Sequence, residues 1–118
     1  MDTKSAVTAL SQGEKIKAGL IWASQGIELL QGLGPVEQTG AIHVVKGLCG
    51  MIGNEVALVR TITGDPAWDE IQPLLERALV MIESGVPLES VGHLSGALSK
   101  TTNILQRNMA FLSESGML

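Results

Sequence analysis

Hydrophobic positions recur every three or four residues along most of the chain, which is the spacing of one face of an α-helix. Four such series are present, over residues 16–30, 42–59, 68–82 and 88–112. No stretch shows the alternating, β-branched pattern that is typical of strands. The positions predicted to face the core are, series by series, Ile16, Leu20, Ala23, Ile27 and Leu30; Ile42, Val45, Cys49, Ile52, Val56 and Val59; Trp68, Ile71, Leu75, Ala78 and Ile82; and Leu88, Val91, Ser95, Leu98, Thr102, Leu105, Met109 and Leu112.

Short breaks rich in glycine and proline separate these series. The first helix is predicted to begin at a cap formed by Thr3 or Ser5 and to end at residues 32–35, because proline cannot continue a helix. The second is predicted from about residue 35 to about residue 63, and Gly64 ends it. Asp65 then caps a third helix, in which Pro73 is expected to produce a kink or to limit the regular part of the helix.

Residues 84–87 form the last break, after which a fourth helix is predicted to run to about residue 113. Four amphipathic helices joined by short links predict an all-α fold, an antiparallel up-down-up-down four-helix bundle. At 118 residues, the chain is expected to form one domain, residues 1–118.

Composition narrows the function classes. The net charge of −4 and the low aromatic content, with two Trp, one Phe and no Tyr, disfavour nucleic acid as a partner. A single cysteine precludes an internal disulfide and fits a reducing compartment. We expect a cytoplasmic protein without a signal peptide or membrane span, since residues 1–5 lack a basic, then apolar start and polar residues interrupt residues 41–59.

The second helix carries the candidate chemistry. Three glycines lie within residues 47–53, although each costs a helix roughly 0.5–1 kcal/mol relative to alanine. At about 100° per residue, His43, Lys46 and Gly47 fall on a face turned away from the apolar stripe. An imidazole is a good nucleophile near neutral pH, and a lysine one turn along can neutralise phosphoryl oxygens. The pattern therefore favours phosphoryl chemistry at His43.

This arrangement resembles the signature of histidine-containing phosphotransfer domains, the HPt family of two-component signalling. The matching positions are His43, Lys46, Gly47, Cys49, Ile52 and Gly53. The resemblance implies a phosphoprotein that relays a phosphoryl group through Nε2 of His43, with Lys46 holding its oxygens and Gly47 leaving room for the partner. It also implies a carrier without kinase activity or a cofactor of its own.

The partners implied by the same resemblance are a response-regulator receiver domain, which would supply its own Mg²⁺, a sensor histidine kinase, or both. The second imidazole nitrogen is expected to be oriented by Gln38, Thr39 or a residue near Asp65. Apolar residues that flank the core stripe are candidates either for the docking surface or for burial by a neighbouring helix, and these are Val44, Leu48 and Met51.

The alternative is a non-catalytic interaction or dimerisation protein in which small residues let helices pack closely and His43 is incidental. Glycines seven residues apart, Gly19 with Gly26 and Gly40 with Gly47, fit that hypothesis. A monomer is expected, and a homodimer is the alternative. A metal site at Glu89 and His93 is disfavoured, because di-metal bundles need paired Glu-x-x-His motifs. Cys49 is expected to be a small buried hydrophobe.

Overall fold

Four α-helices and three short 3₁₀ turns form the secondary structure of residues 2–117, the part of the chain that the computed structural model describes. The helices are α1 (Thr3–Leu29), α2 (Pro35–Thr63), α3 (Gln72–Glu83) and α4 (Ser90–Glu114). The 3₁₀ turns span Leu30–Gly32, Pro66–Glu70 and Pro87–Glu89. The predicted all-α fold is confirmed, and α2 has the predicted bounds.

Each helix packs against two others: α1 and α3 both contact α2 and α4. The contacts between α1 and α2 run antiparallel, since Gly19 lies against Ile52 and Gly26 lies against Val45. Asp69, Gln72 and Glu83 meet Arg60, Gly53 and Lys46 in turn, so α3 and its preceding turn also run antiparallel to α2. The up-down-up-down four-helix bundle predicted from the short links is therefore confirmed.

The buried core follows the predicted stripes of the first three helices. All of the predicted positions in α1, its 3₁₀ extension and the Trp68 to Ile82 series are buried, as are the five α2 positions from Val45 to Val59, while Ile42 is half-buried. Trp68, at 0% exposure, is the largest fully buried side chain among the described residues. Burial of these stripes supplies the main stabilisation of the bundle.

In α4, Leu105 and Leu112 are buried as predicted, but the rest of the core face lies one residue, or about 100° around the helix axis, from the predicted one. Leu88, Ser95 and Met109 are exposed, and Val91 and Leu98 only half-buried. The buried positions outside the predicted series are Ser90, Leu94, Ala97, Thr101, Ile104 and Asn108. This face includes small and polar residues, which hydrophobic periodicity does not select.

Two polar side chains in that face satisfy their hydrogen bonds within α4. The Thr101 hydroxyl donates to the Ala97 carbonyl at 2.9 Å, and Asn108 Nδ2 donates to the Ile104 carbonyl at 2.8 Å. A polar group that bonds one turn back along its own helix can be buried without a partner from a neighbouring helix.

Two helix starts also differ from the sequence prediction. The N-cap of α1 is Asp2, whose Oδ1 accepts the backbone N–H of Ser5 at 2.7 Å. Pro73 does not kink a long third helix, because the chain forms the 3₁₀ turn Pro66–Glu70 first and places Pro73 in the first turn of α3. Proline is tolerated there, since first-turn N–H groups have no helical acceptor.

The predicted stops are confirmed by backbone conformation. Gly64 follows α2 with φ of 68°, and Gly85 follows α3 with φ of 84°. Both lie in the left-handed region that glycine adopts without a steric penalty. These turns fix where α2 ends and how α3 lies along it, and so they set the surroundings of the candidate site.

Candidate functional site

The helix α2 presents two different faces, and the predicted site lies on the outward one. Val45 and Cys49 are buried in the core, whereas His43 and Gly47 are exposed. The His43 side chain therefore projects from a helix that is anchored along its opposite face by a packed core. A nucleophile held in this way needs no rearrangement to meet an incoming group.

Lys46 is half-buried beside the exposed histidine. Its Nζ lies 3.3 Å from Oε1 of Glu83, the last residue of α3. The Lys46 side chain is 34% exposed and that of Glu83 is 56% exposed. The ammonium group is thus already ion-paired with a carboxylate of the chain itself, a relationship that the sequence did not reveal.

The glycines of α2 fall into two groups. A Cβ built at Gly40, Gly47 or Gly50 would meet no atom of the described chain within 4 Å, so these positions are open backbone. Gly53 is covered instead, because Gln72 Nε2 donates to its carbonyl at 2.8 Å. Gly19 of α1 is tightly packed, since a Cβ there would lie 3.0 Å from Ile52.

The residues expected to orient the second imidazole nitrogen are engaged elsewhere. Gln38 Nε2 donates to the Leu33 carbonyl at 2.9 Å, and the Thr39 hydroxyl donates to the Pro35 carbonyl at 3.0 Å. Asp65 lies beyond the opposite end of α2, where it accepts from the backbone N–H of Ala67. These contacts do not support the expected role of any of the three.

The charged residues around the middle of α2 point sideways into pairs with neighbouring helices. Lys15 of α1 pairs with Glu55 at 2.8 Å, and Arg60 pairs with Asp69 at 2.9 Å. Together with the Lys46 pair, these contacts give every charged residue of positions 39–62 an oppositely charged partner. The fully exposed positions of α2 in this range carry no formal charge, and the half-buried Lys46 borders them beside His43.

Large apolar side chains are exposed on that same face. Val44 is 73% exposed and Met51 is 65% exposed, whereas Leu48 is half-buried against the core. Trp22 of α1 is 65% exposed and lines a cavity of about 160 Å³ with Leu48 and Met51. Further exposed apolar residues of α2 that the sequence analysis did not select are Val36, Leu58 and Ile62.

The helix α2 is apolar on two faces. By length and composition alone it is therefore long and apolar enough to cross a membrane, and its most apolar stretch of 18 residues has a mean hydropathy of 1.4. Core helices of soluble proteins meet the same criterion. In this bundle, 28% of that 18-residue stretch is buried inside the protein.

The other candidate chemistry does not converge on a site. Within residues 2–117, no group of three or more His, Cys, Asp or Glu side chains is placed to hold a metal ion. His93 is half-buried on α4, next to an exposed Glu89. Cys49 is buried as expected, and its burial raises the pKa of the thiol above its ordinary value of 9.0.

Comparisons of the chain with protein-family models, with curated proteins and with solved structures found no match.

Proposed function

We propose that this protein is a histidine phosphotransfer protein, which relays a phosphoryl group through His43 to or from the aspartate of a response-regulator receiver domain. The observation that carries the proposal is the presence of an exposed imidazole, a neighbouring lysine and open glycine backbone on one outward face of a packed helix. The similarity of this face to the HPt signature supports the same conclusion. A sensor histidine kinase is a second candidate donor.

In the proposed reaction, the lone pair on Nε2 of His43 attacks the phosphorus of an aspartyl phosphate in line with the bond that breaks. The N–P bond forms as the P–O bond to the receiver's aspartate breaks, and that aspartate leaves as a carboxylate. The reverse reaction returns the phosphoryl group. Such transfers depend on positioning and charge stabilisation. The receiver domain would bring Mg²⁺ for its own carboxylates.

Lys46 would stabilise the phosphoryl oxygens as they approach His43. Its present partner, Glu83, is more than half exposed, and exposed ion pairs contribute only about 0–1 kcal/mol. A phosphoryl group carries up to about two negative charges and several acceptor oxygens. It therefore competes well with a single carboxylate for the Lys46 ammonium group.

Gly47 and Gly50 would let the partner's loops reach the α2 backbone. A side chain at either position would project into the space above the helix, which is open in the free protein. Val44 and Met51 offer exposed apolar surface on the same side. The proposal assigns no catalytic role to the bundle core, and it locates the protein in the cytosol, where Cys49 stays reduced.

The test is transfer of label from a phosphorylated receiver domain to the purified protein, with acid-labile phosphate mapped by mass spectrometry. His43→Gln should abolish labelling, and His93→Gln should retain it. His93 is the matched control, because it is the other histidine of the chain and also lies on a helix. Labelling that persists in His43→Gln would overturn the proposal.

A second variant tests the role of the open backbone. Gly47→Leu should leave the helical circular-dichroism spectrum intact, because a Cβ at this position meets no atom of the described residues within 4 Å. It should nevertheless block transfer, since the isobutyl group would occupy the space that the receiver needs. Normal transfer in this variant would show that the partner does not approach over Gly47.

A further inference from the structure

The outward face of α2 has a regular composition along its whole length. The exposed residues between positions 39 and 62 are Thr39, Gly40, His43, Val44, Gly47, Gly50, Met51, Asn54, Ala57, Leu58, Thr61 and Ile62. None of them carries a formal charge when His43 is neutral. Exposed faces that are apolar and uncharged over such a length are typical of protein interfaces.

Within this face, large and small residues alternate at intervals of three and four. Val44, Met51 and Leu58 lie seven residues apart and are 73%, 65% and 47% exposed. Gly40, Gly47 and Asn54 alternate with them along the chain and are also seven residues apart. This is the heptad spacing of a coiled-coil seam, on the side of α2 opposite the core of the bundle. We name these six residues the α2 seam.

From this pattern we infer that two copies of the protein associate through the α2 seam, with the two α2 helices antiparallel. The seam is complementary to itself in that orientation. With the two-fold axis near residue 49, Gly47 lies opposite the second copy's Met51, and Gly40 lies opposite the second copy's Leu58. Val44 then lies opposite the second copy's Asn54, so each layer pairs a larger residue with a smaller one.

A parallel pairing would not have this complementarity. It would set Met51 against Met51 and Gly47 against Gly47, alternating crowded layers with empty ones, which tight packing disfavours. The antiparallel pairing also brings Gly50 near the second copy's Gly50, where bare backbone allows close approach. Two-fold symmetry of this kind, with one patch used by both copies, is the commonest form of homodimer.

The charge distribution favours a second copy over other occupants. Two uncharged faces can meet without burying an unpaired ion, which would be costly. Anionic membranes attract helices that carry Lys or Arg along the polar face, whereas the exposed positions of this face have neither and the bordering Lys46 is paired with Glu83. The seam from Gly40 to Leu58 is about 27 Å long, so the interface falls in the small, weak class and association should depend on concentration.

The dimer would cover the candidate phosphorylation site. In the antiparallel arrangement, His43 flanks the seam beside the second copy's Ala57, so its imidazole would be shielded from other proteins. Self-association through the α2 seam holds whether or not His43 accepts phosphate. If it does, the monomer is the form that exchanges phosphoryl groups, and dimerisation and docking to a receiver domain compete.

The first test is sedimentation velocity over a concentration series, without any phosphoryl donor. The unmodified protein should shift from monomer to dimer as concentration rises. Met51→Glu and Gly47→Leu should each weaken the dimer by at least about tenfold, as expected for residues at an interface centre. Val80→Glu is the matched control, because Val80 is 54% exposed on α3 and lies outside the seam.

Circular dichroism of each variant checks that the bundle is folded. A protein that stays monomeric at all concentrations up to about 1 mM, the dissociation constant of a very weak complex, would overturn the inference. So would a dimer that both seam substitutions leave intact. Binding to vesicles of phosphatidylcholine and phosphatidylglycerol by a protein that does not self-associate would also overturn it, in favour of a membrane surface.

The second test fixes the orientation by disulfide cross-linking in a Cys49→Ala background. The double variant Val44→Cys/Asn54→Cys should form a cross-linked dimer under mild oxidation. Each single variant should remain largely unlinked, because identical positions lie far apart when the helices run antiparallel. Efficient cross-linking of either single variant, with no gain in the double variant, would overturn the antiparallel arrangement.

Discussion

The Nζ atom of Lys46 lies 3.3 Å from Oε1 of Glu83, and this contact joins the middle of α2 to the C-terminal end of α3. A glutamate at the end of a helix is unfavourable beside the negative end of the helix dipole, and Lys46 compensates it. The contact also directs the lysine side chain along the surface that adjoins His43. Glu83 is therefore a competitor for the cation that the proposed reaction uses.

Removing that competitor should speed the proposed reaction. We expect Glu83→Gln to transfer phosphate faster by up to about fivefold, because an exposed ion pair worth up to about 1 kcal/mol no longer holds Lys46. Initial rates of label transfer from a phosphorylated receiver domain give the comparison. Glu76→Gln, an exposed glutamate on the same helix, is the control and should leave the rate unchanged. A slower Glu83→Gln variant would indicate that the carboxylate positions Lys46 instead.

Alanine substitutions should change the free energy of unfolding in opposite directions at open and at packed glycines. Gly47→Ala should raise the free energy of unfolding by about 0.5–1 kcal/mol, since the position is helical and open. Gly13→Ala should lower it by about 1–3 kcal/mol, because the new methyl group would overlap the Leu105 side chain of α4. Urea denaturation measures both values. Equal effects of the two substitutions would contradict this division.

The buried thiol of Cys49 should make stability depend on alkaline pH. Burial raises the pKa of this thiol above its ordinary value of 9.0, so the unfolded chain loses the proton first. The unfolded state then binds fewer protons than the folded state, and the free energy of unfolding falls as pH rises through 9.0.

From Cys49 alone, the free energy of unfolding should fall by at most about 1.4 kcal/mol per pH unit. Below the ordinary pKa of the thiol, this dependence on pH vanishes. Urea denaturation from pH 7 to pH 10 measures it. Cys49→Ala is the reference, since lysines titrate alike in both proteins. The difference in the free energy of unfolding between the unmodified protein and Cys49→Ala should shrink as pH rises. A difference that stays constant with pH would rule out a role for the thiol.

The buried hydroxyl of Thr101 should contribute little to stability. It bonds only to the carbonyl of Ala97 in its own helix, and that carbonyl also accepts helical N–H groups. Thr101→Val keeps the shape, so the free energy of unfolding should change by less than about 1 kcal/mol. Thr101→Ala removes packed atoms and should lower it by about 1–2 kcal/mol. Chemical denaturation that shows valine to be the worse substitute would mean that the hydroxyl is required.

Much of the fold follows from local patterns in the chain. The spacing of apolar residues predicts the buried faces of α1, α2 and α3, because a helix that buries one stripe needs hydrophobic residues there. Gly64 and Pro35 predict the bounds of α2, since one ends a helix and the other can only begin it. The outward position of His43 follows from the same periodicity.

The sequence predictions that the structure corrects, for the core face of α4 and the N-cap of α1, share one cause. Periodicity predicts only part of the core face of α4, because Ala97, Thr101 and Asn108 are small or polar and their burial depends on the packing of neighbouring helices and on hydrogen bonds within α4. Asp2 was missed as the N-cap because several residues near the start could serve. In each case, the outcome depends on geometry between groups rather than on residue type.

The sequence by itself determined that the chain forms four helices and where α2 begins and ends. It also determined that His43, Lys46 and Gly47 share a helical face away from the core. These properties arise from interactions within a few residues of the chain. The tertiary structure alone decided that Lys46 pairs with Glu83 and that Gly13 and Gly19 admit neighbouring side chains while Gly47 stays open. A helical glycine can be packed or open and a surface lysine can be paired or unpaired, and the position of the adjacent helix decides which occurs.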